Sequence, residues 1–150
     1  MTFLTPDDGP AWTAIRVATR WSTVRRGVEA GQQLKVAEGR LLWLLRDGQP
    51  RTLRQLAEEL DLEQSTVNRQ VHAALDSGLI VRSRPEDSPA YVVTVSDEGG
   101  ARFRSDMARL TEVYERALAA IPRQDQDRFL QQLATFVEGL DEASHATLGP

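Results

Sequence analysis

The chain has 150 residues, 41% hydrophobic and 27% charged, a composition that suits a folded globular domain and argues against wholesale disorder. It contains no cysteine, which excludes disulfides, thiolate metal sites and thiol redox switching. The net charge is −4, but it is unevenly spread: 7 basic against 4 acidic groups over 1–46, 5 against 6 over 47–84, and 6 against 12 over 85–150. A basic or neutral local field is therefore compatible with an acidic total.

The longest apolar runs, Leu41–Leu45 and Ala117–Ile121, span five residues each, far short of the roughly 20 that a membrane span needs. The start, Met1 to Asp8, has no basic flank and no long apolar run, so no secretory signal is expected and a cytoplasmic location is. All basic residues but Lys35 are arginine. That bias suits phosphate and guanine recognition, or reflects only an arginine-rich genome.

A polar lead-in over 1–9 precedes a first helix over about 11–31, whose apolar residues Ala14, Val17, Trp21, Val24 and Val28 recur at alternating spacings of three and four. That is the seam of a helix packed along another helix. A second helix is predicted over about Lys35 to Arg46, its Leu41–Leu45 run apolar all round and hence buried. Asp47-Gly48-Gln49-Pro50 ends it.

Thr52 followed by Gln55 has the form of a capping box and opens a third helix with Leu53, Leu56, Ala57 and Leu60 inward. A break at 61–63 leads to a fourth helix over about 64–77, with Val67, Val71, Ala74 and Leu75 inward and Gly78 as its C-terminal cap. The β-rich runs 79–84 and 90–95 flank a proline-bounded tip and predict a hairpin.

Ser96 is placed to cap a fifth helix with the stripe Phe103, Met107, Leu110, Tyr114, Ala117 and Ile121. Pro122 ends or kinks it. A sixth helix carries Phe129, Leu133, Phe136 or Val137, and Leu140, and fraying is expected from about Asp141.

Two short helices joined by a tight turn and followed by a hairpin make a winged helix-turn-helix. The outward positions of the second short helix are Ser65, Asn68, Arg69 and His72, at i, i+3, i+4 and i+7. Asn68 can grip an adenine edge and Arg69 a guanine edge. Gln64 and Thr66 stand at the helix start, where backbone amides hold phosphate.

From Leu34 to Gly99 the chain resembles the MarR family of transcriptional regulators. Leu53-Arg54-Gln55-Leu56-Ala57-Glu58-Glu59-Leu60-Asp61-Leu62-Glu63-Gln64-Ser65-Thr66-Val67 is similar to the family's helix-turn-helix. Val71, Leu75 and Gly78-Leu79-Ile80-Val81-Arg82 are similar to its entry into the wing, and Val93-Thr94-Val95-Ser96-Asp97-Glu98-Gly99 to its exit. The resemblance implies a mainly α fold with a small β-hairpin wing, a winged helix-turn-helix over 35–96 within a single domain of 1–150. Helices over 10–31 and 97–142 would form a homodimer.

It also implies a double-stranded DNA operator as partner, contacted through Gln64, Ser65, Thr66, Asn68, Arg69 and His72. The family's wing carries Asp-x-Arg, and here the aligned residues are Asp87-Ser88-Pro89. Arg82 and Arg84 on the preceding strand either replace the missing arginine or touch only phosphates.

Gly39 falls where a bulky residue is expected. It either leaves room for a ligand or allows close helix packing, and packing is the preferred reading. A small-molecule effector would bind between the dimer helices and the winged part, with Trp12, Trp21 and Trp43 lining the pocket and Arg16 or Arg20 meeting an anionic group. Core packing is the preferred role for the tryptophans.

No P-loop, G-x-G-x-x-G, G-x-S-x-G or H-E-x-x-H is present, and His72 and His145 are far apart. Neither an enzyme, a metal nor a cofactor is therefore expected. A ligand-responsive repressor is the leading reading, and a winged-helix interaction module without DNA binding is its alternative.

Overall fold

Among the described residues, six α-helices and three short strands run in the order α1 (Gly9–Ala30), α2 (Val36–Leu44), β1 (Arg51–Thr52), α3 (Leu53–Leu60), α4 (Gln64–Asp76), β2 (Ile80–Ser83), β3 (Val92–Val95), α5 (Asp97–Leu118) and α6 (Arg123–Leu148). The computed structural model describes residues 9–149, so all but Gly9 of the polar lead-in lies outside the described residues. The chain divides into two compact units, with the boundary inside α5 between Ala108 and Arg109. The fold is mainly α with a small antiparallel sheet.

Local chemistry sets the helix ends. The Thr52 hydroxyl accepts from the Gln55 N–H at 3.2 Å while Gln55 Oε1 accepts from the Thr52 N–H at 2.9 Å, a closed capping box that uses two otherwise unpaired donors. At the end of α4, Gly78 adopts φ +70°. Its N–H donates to the Leu75 carbonyl, and the Leu79 N–H to the Ala74 carbonyl. This pair of bonds is a Schellman cap, and the positive φ is the reason for glycine.

The Ser96 hydroxyl caps α5 by accepting from the Gly99 N–H at 2.9 Å, and it donates to the Gly78 carbonyl. One side chain thus joins the end of α4 to the start of α5.

The core of the first unit gathers Leu41, Leu42, Leu45, Leu56, Val67, Val71, Ala74, Leu79, Ile80 and Val93. Fully buried leucines and valines such as these each stabilise by about 1.5–3 kcal/mol relative to exposure. The predicted inner faces of α3 and α4 are the observed ones, with Leu56, Val67, Val71 and Ala74 buried and Leu53, Ala57, Leu60 and Leu75 packed against them.

The hairpin pairs β2 with β3 from Ile80↔Val95 to Ser83↔Val92. A third strand was not foreseen: β1 pairs on the other side of β3, giving the order β1-β3-β2. A short 3-10 turn, Leu45–Asp47, follows α2 and was also not foreseen.

Arg51 in β1 forms a bidentate pair with Asp47, both contacts at 2.8 Å, and a third contact with Glu59 at 3.0 Å. The hydrogen bonds from Arg51, with help from the Gln49 amide, hold the Asp47 carboxyl well below the usual carboxylate range. Asp47, then Glu59, hold the guanidinium above its ordinary value.

The only buried charged side chain among the described residues is Asp106 in α5. Its two carboxylate oxygens accept from the backbone N–H groups of Gln33 and Leu34, each at 2.9 Å. The segment between α1 and α2 is thereby tied to α5.

Two expectations need correction. Residues 141–148 continue α6 rather than fray, because Ala143, Ala146 and Leu148 suit a helix, Ser144 bonds back to the Asp141 carbonyl, and His145 meets Asp141 at i, i+4. The Leu41–Leu45 run is not buried all round. Trp43 is exposed, flanked by the Arg46 guanidinium at 4.1 Å and edge-on to Phe103. Among the described residues no helix is long and apolar enough to cross a membrane.

Candidate nucleic-acid interface

The turn between α3 and α4 is made by Asp61 in the left-handed region, φ +51°, a conformation that aspartate tolerates better than most residues. It swings α4 across α3 so that Val67, Val71 and Ala74 face inward. The opposite face then carries Gln64, Ser65, Asn68, Arg69 and His72, all exposed. Thr66 is only half-exposed, and its hydroxyl meets the Arg69 guanidinium at 3.4 Å. Thr66 therefore supports Arg69 as much as it faces outward.

A groove of about 500 Å³ runs beside this face. It is lined from three sides: by Thr52, Leu53 and Arg54 at the start of α3, by Gln64, Asn68 and His72 on α4, and by Arg82 and Tyr91 on the wing. The structure thus brings Gln64, Asn68, His72 and Arg82 to one groove, while Ser65 and Arg69 are not among its lining residues.

Arg54 and Tyr91 were not foreseen. Arg54 reads in the sequence as one more charge on an amphipathic helix, and only the crossing of α3 over α4 puts it beside the groove. Tyr91 lies just before β3, where sequence alone marks it as one more strand residue.

On the wing, the Arg82 guanidinium stacks 3.6 Å from the centre of the Tyr91 ring, and that of Arg84 lies 5.6 Å from it. The tip, Pro85 to Pro89, is closed by a Ser88 N–H to Pro85 carbonyl bond and carries Glu86 and Asp87 but no cation.

The ligand-site candidates separate. Trp12, Arg16 and Arg20 line one open pocket of about 450 Å³ along α1, together with Ile15, Thr19, Thr23 and Val24. Gly39 and Trp43 are not part of it. The three tryptophans are not core residues of this chain: Trp12, Trp21 and Trp43 are 42%, 41% and 48% exposed. Nor does Gly39 serve close packing, since a Cβ built there meets nothing within 4 Å. The close approach is at Gly99, where an added Cβ would fall 1.9 Å from the Leu79 carbonyl oxygen.

The model of the MarR family matches residues 32–88, from the segment before α2 through the wing tip. Over those residues the winged part of this chain is similar to the MarR family. Solved MarR-type structures share the fold over most of the chain. A MarR family protein from Bacillus stearothermophilus superposes with a TM-score of 0.74 at 14% identity, covering 87% of this chain and 92% of that one. Streptococcus pneumoniae FabT, solved in complex with DNA, gives 0.72 at 14% identity, covering 87% and 99%. Staphylococcus aureus MarR, solved with salicylate and kanamycin, gives 0.68 at 13%, covering 85% and 87%. Comparison with curated proteins gives no match.

Proposed function

We propose that this chain is a MarR-type, sequence-specific DNA-binding transcriptional regulator, acting as a homodimer on a pseudo-palindromic operator and released by a small-molecule effector. The observation that carries the reading is the exposed face of α4, with Gln64, Ser65, Asn68, Arg69 and His72 free of the core and Arg82 of the wing beside it. Asn68 and Arg69 carry the side chains that discriminate adenine and guanine edges in a major groove, while Gln64, Ser65 and Thr66 at the helix start suit phosphate. The FabT complex with DNA supports the same use of the fold.

Dimerisation is supported by apolar surface without a partner in one chain. No residue of α1 or α6 is buried, although α1 carries Ile15, Val17 and Val24 beside its tryptophans and α6 carries Phe129, Leu130, Phe136, Val137 and Leu140. A stripe of this length on a soluble protein is the mark of an interface. For the effector, the α1 pocket offers an aromatic ring at Trp12 with cations at Arg16 and Arg20, a fit for a small aromatic acid. The salicylate complex of the S. aureus protein supports that ligand class.

The test is a mobility shift on the DNA upstream of the chain's own gene. A shift at about 50 mM salt that weakens steeply by about 200 mM is expected, because each neutralised phosphate releases counterions. Addition of small aromatic acids then releases the DNA. No shift at low salt would favour the winged-helix interaction module.

A further inference from the structure

The wing poses a problem that its tip does not solve. Between Pro85 and Pro89 it offers two carboxylates and no cation, a surface that repels a phosphate backbone. The cations sit further back, on and just after β2, where Arg82 and Arg84 converge on one exposed aromatic ring. Tyr91 is 47% exposed and belongs to no core cluster. Its ring meets the Arg82 guanidinium at 3.6 Å, while Arg82 and Tyr91 together line the groove with Asn68 and His72 of α4.

We propose that Tyr91 is the positioning residue of the wing, holding the Arg82 guanidinium at the α4 groove so that Arg82, and not the tip, delivers the wing's positive charge to the DNA backbone. This rests on the DNA-binding reading above. An arginine on an exposed strand is otherwise free to sample many rotamers, and fixing it on binding costs entropy. Stacking on Tyr91 orders it beforehand. A guanidinium has five N–H donors, so one held over a ring still has donors directed away from it for phosphate oxygens. Arg84, 5.6 Å from the ring centre, is held less closely and plays the lesser part.

The experiment measures binding of full-length protein to a random-sequence 30-bp duplex (~30 bp, several DNA turns) and to the duplex recovered by selection with the wild type, across a salt series. Arg82→Ala should weaken binding and shallow the salt slope by about one per protomer. Tyr91→Leu should act in the same direction, by about threefold per protomer, whereas Tyr91→Phe, which keeps the ring, should bind within about twofold of wild type. Arg82→Ala combined with Tyr91→Leu should be no weaker than Arg82→Ala alone.

Tyr91→Thr, a β-former without the ring, carries the expectation should the leucine variant fold poorly. The inference is overturned if wild type binds and Tyr91→Leu is silent, if Tyr91→Phe is as weak as Tyr91→Leu, or if the two losses add. If the wild type binds neither duplex at low salt, the DNA-binding reading and this inference fall together.

Discussion

Replacing Asp106 by asparagine changes one atom and breaks the tie between α5 and the segment before α2. Each carboxylate oxygen accepts one backbone N–H, from Gln33 and from Leu34, at 2.9 Å. Asparagine has one acceptor oxygen, so one N–H must face an NH₂ donor instead. The loss of a hydrogen bond to a charged acceptor costs about 1.5–3 kcal/mol, and a buried donor left without a partner adds to it. Because water can reach one side at Gln33, an exposed residue, about 2–3 kcal/mol is expected in total.

For a chain of this size that lowers the melting temperature by about 2–4 °C per kcal/mol. Thermal melts of wild type and Asp106→Asn should be run at equal protein concentration, since a dimer's melting point moves with concentration. A difference below about 0.5 kcal/mol, the range of ordinary surface substitutions, would refute the reasoning and leave the two amides satisfied by water.

Other substitutions test the packing and the charges. Gly99→Ala should destabilise by about 1–3 kcal/mol or more, because the new methyl collides with the Leu79 backbone rather than with a movable side chain; denaturant melts measure it. Gly39→Ala should stabilise by about 0.5–1 kcal/mol, since α2 has open space there; a loss of stability would show a contact that the structure does not contain. Asp47 titrates lower when folded, so its pairing with Arg51 stabilises the fold above the unfolded carboxylate value of about 3.9 and is lost as pH falls below it. Urea melts of wild type and Asp47→Asn should therefore differ at neutral pH and converge in acid.

What the sequence made legible was local. The capping box needs only Thr52 and Gln55 three residues apart, and the α4 cap needs only a glycine at the position where φ turns positive. The inner faces of α3 and α4 follow from helical spacing, and the outward face of α4 follows with them. What stayed hidden depends on residues far apart in the chain. β1 is two residues with no alternation to read, and it is a strand only because β3 offers it an edge.

Asp106 meets its partners 72 and 73 positions away, so nothing around it in sequence marks it as a clamp. Gly99 needs to be glycine because of Leu79, and Gly39 has no such neighbour, though only Gly39 stood out in a helical pattern. Tryptophan's size suggests core, and that misleads here because the surfaces carrying Trp12 and Trp21 belong to a helix with no buried residue. On the wing, the departure at Pro89 was visible, but the ring that organises Arg82 was not.

The central claim is that α4 reads base sequence, and the most direct measurement is selection of bound duplexes from random DNA with wild type and Arg69→Ala in parallel. The wild type should recover one enriched sequence with two half-sites centred about one helical turn, ~34 Å, or a multiple of it apart. Arg69→Ala should lose about 1–3 kcal/mol of affinity and relax the choice of base at one position in each half-site. Enrichment of no sequence by the wild type, or an Arg69→Ala variant with unchanged affinity and unchanged preference, would contradict the claim.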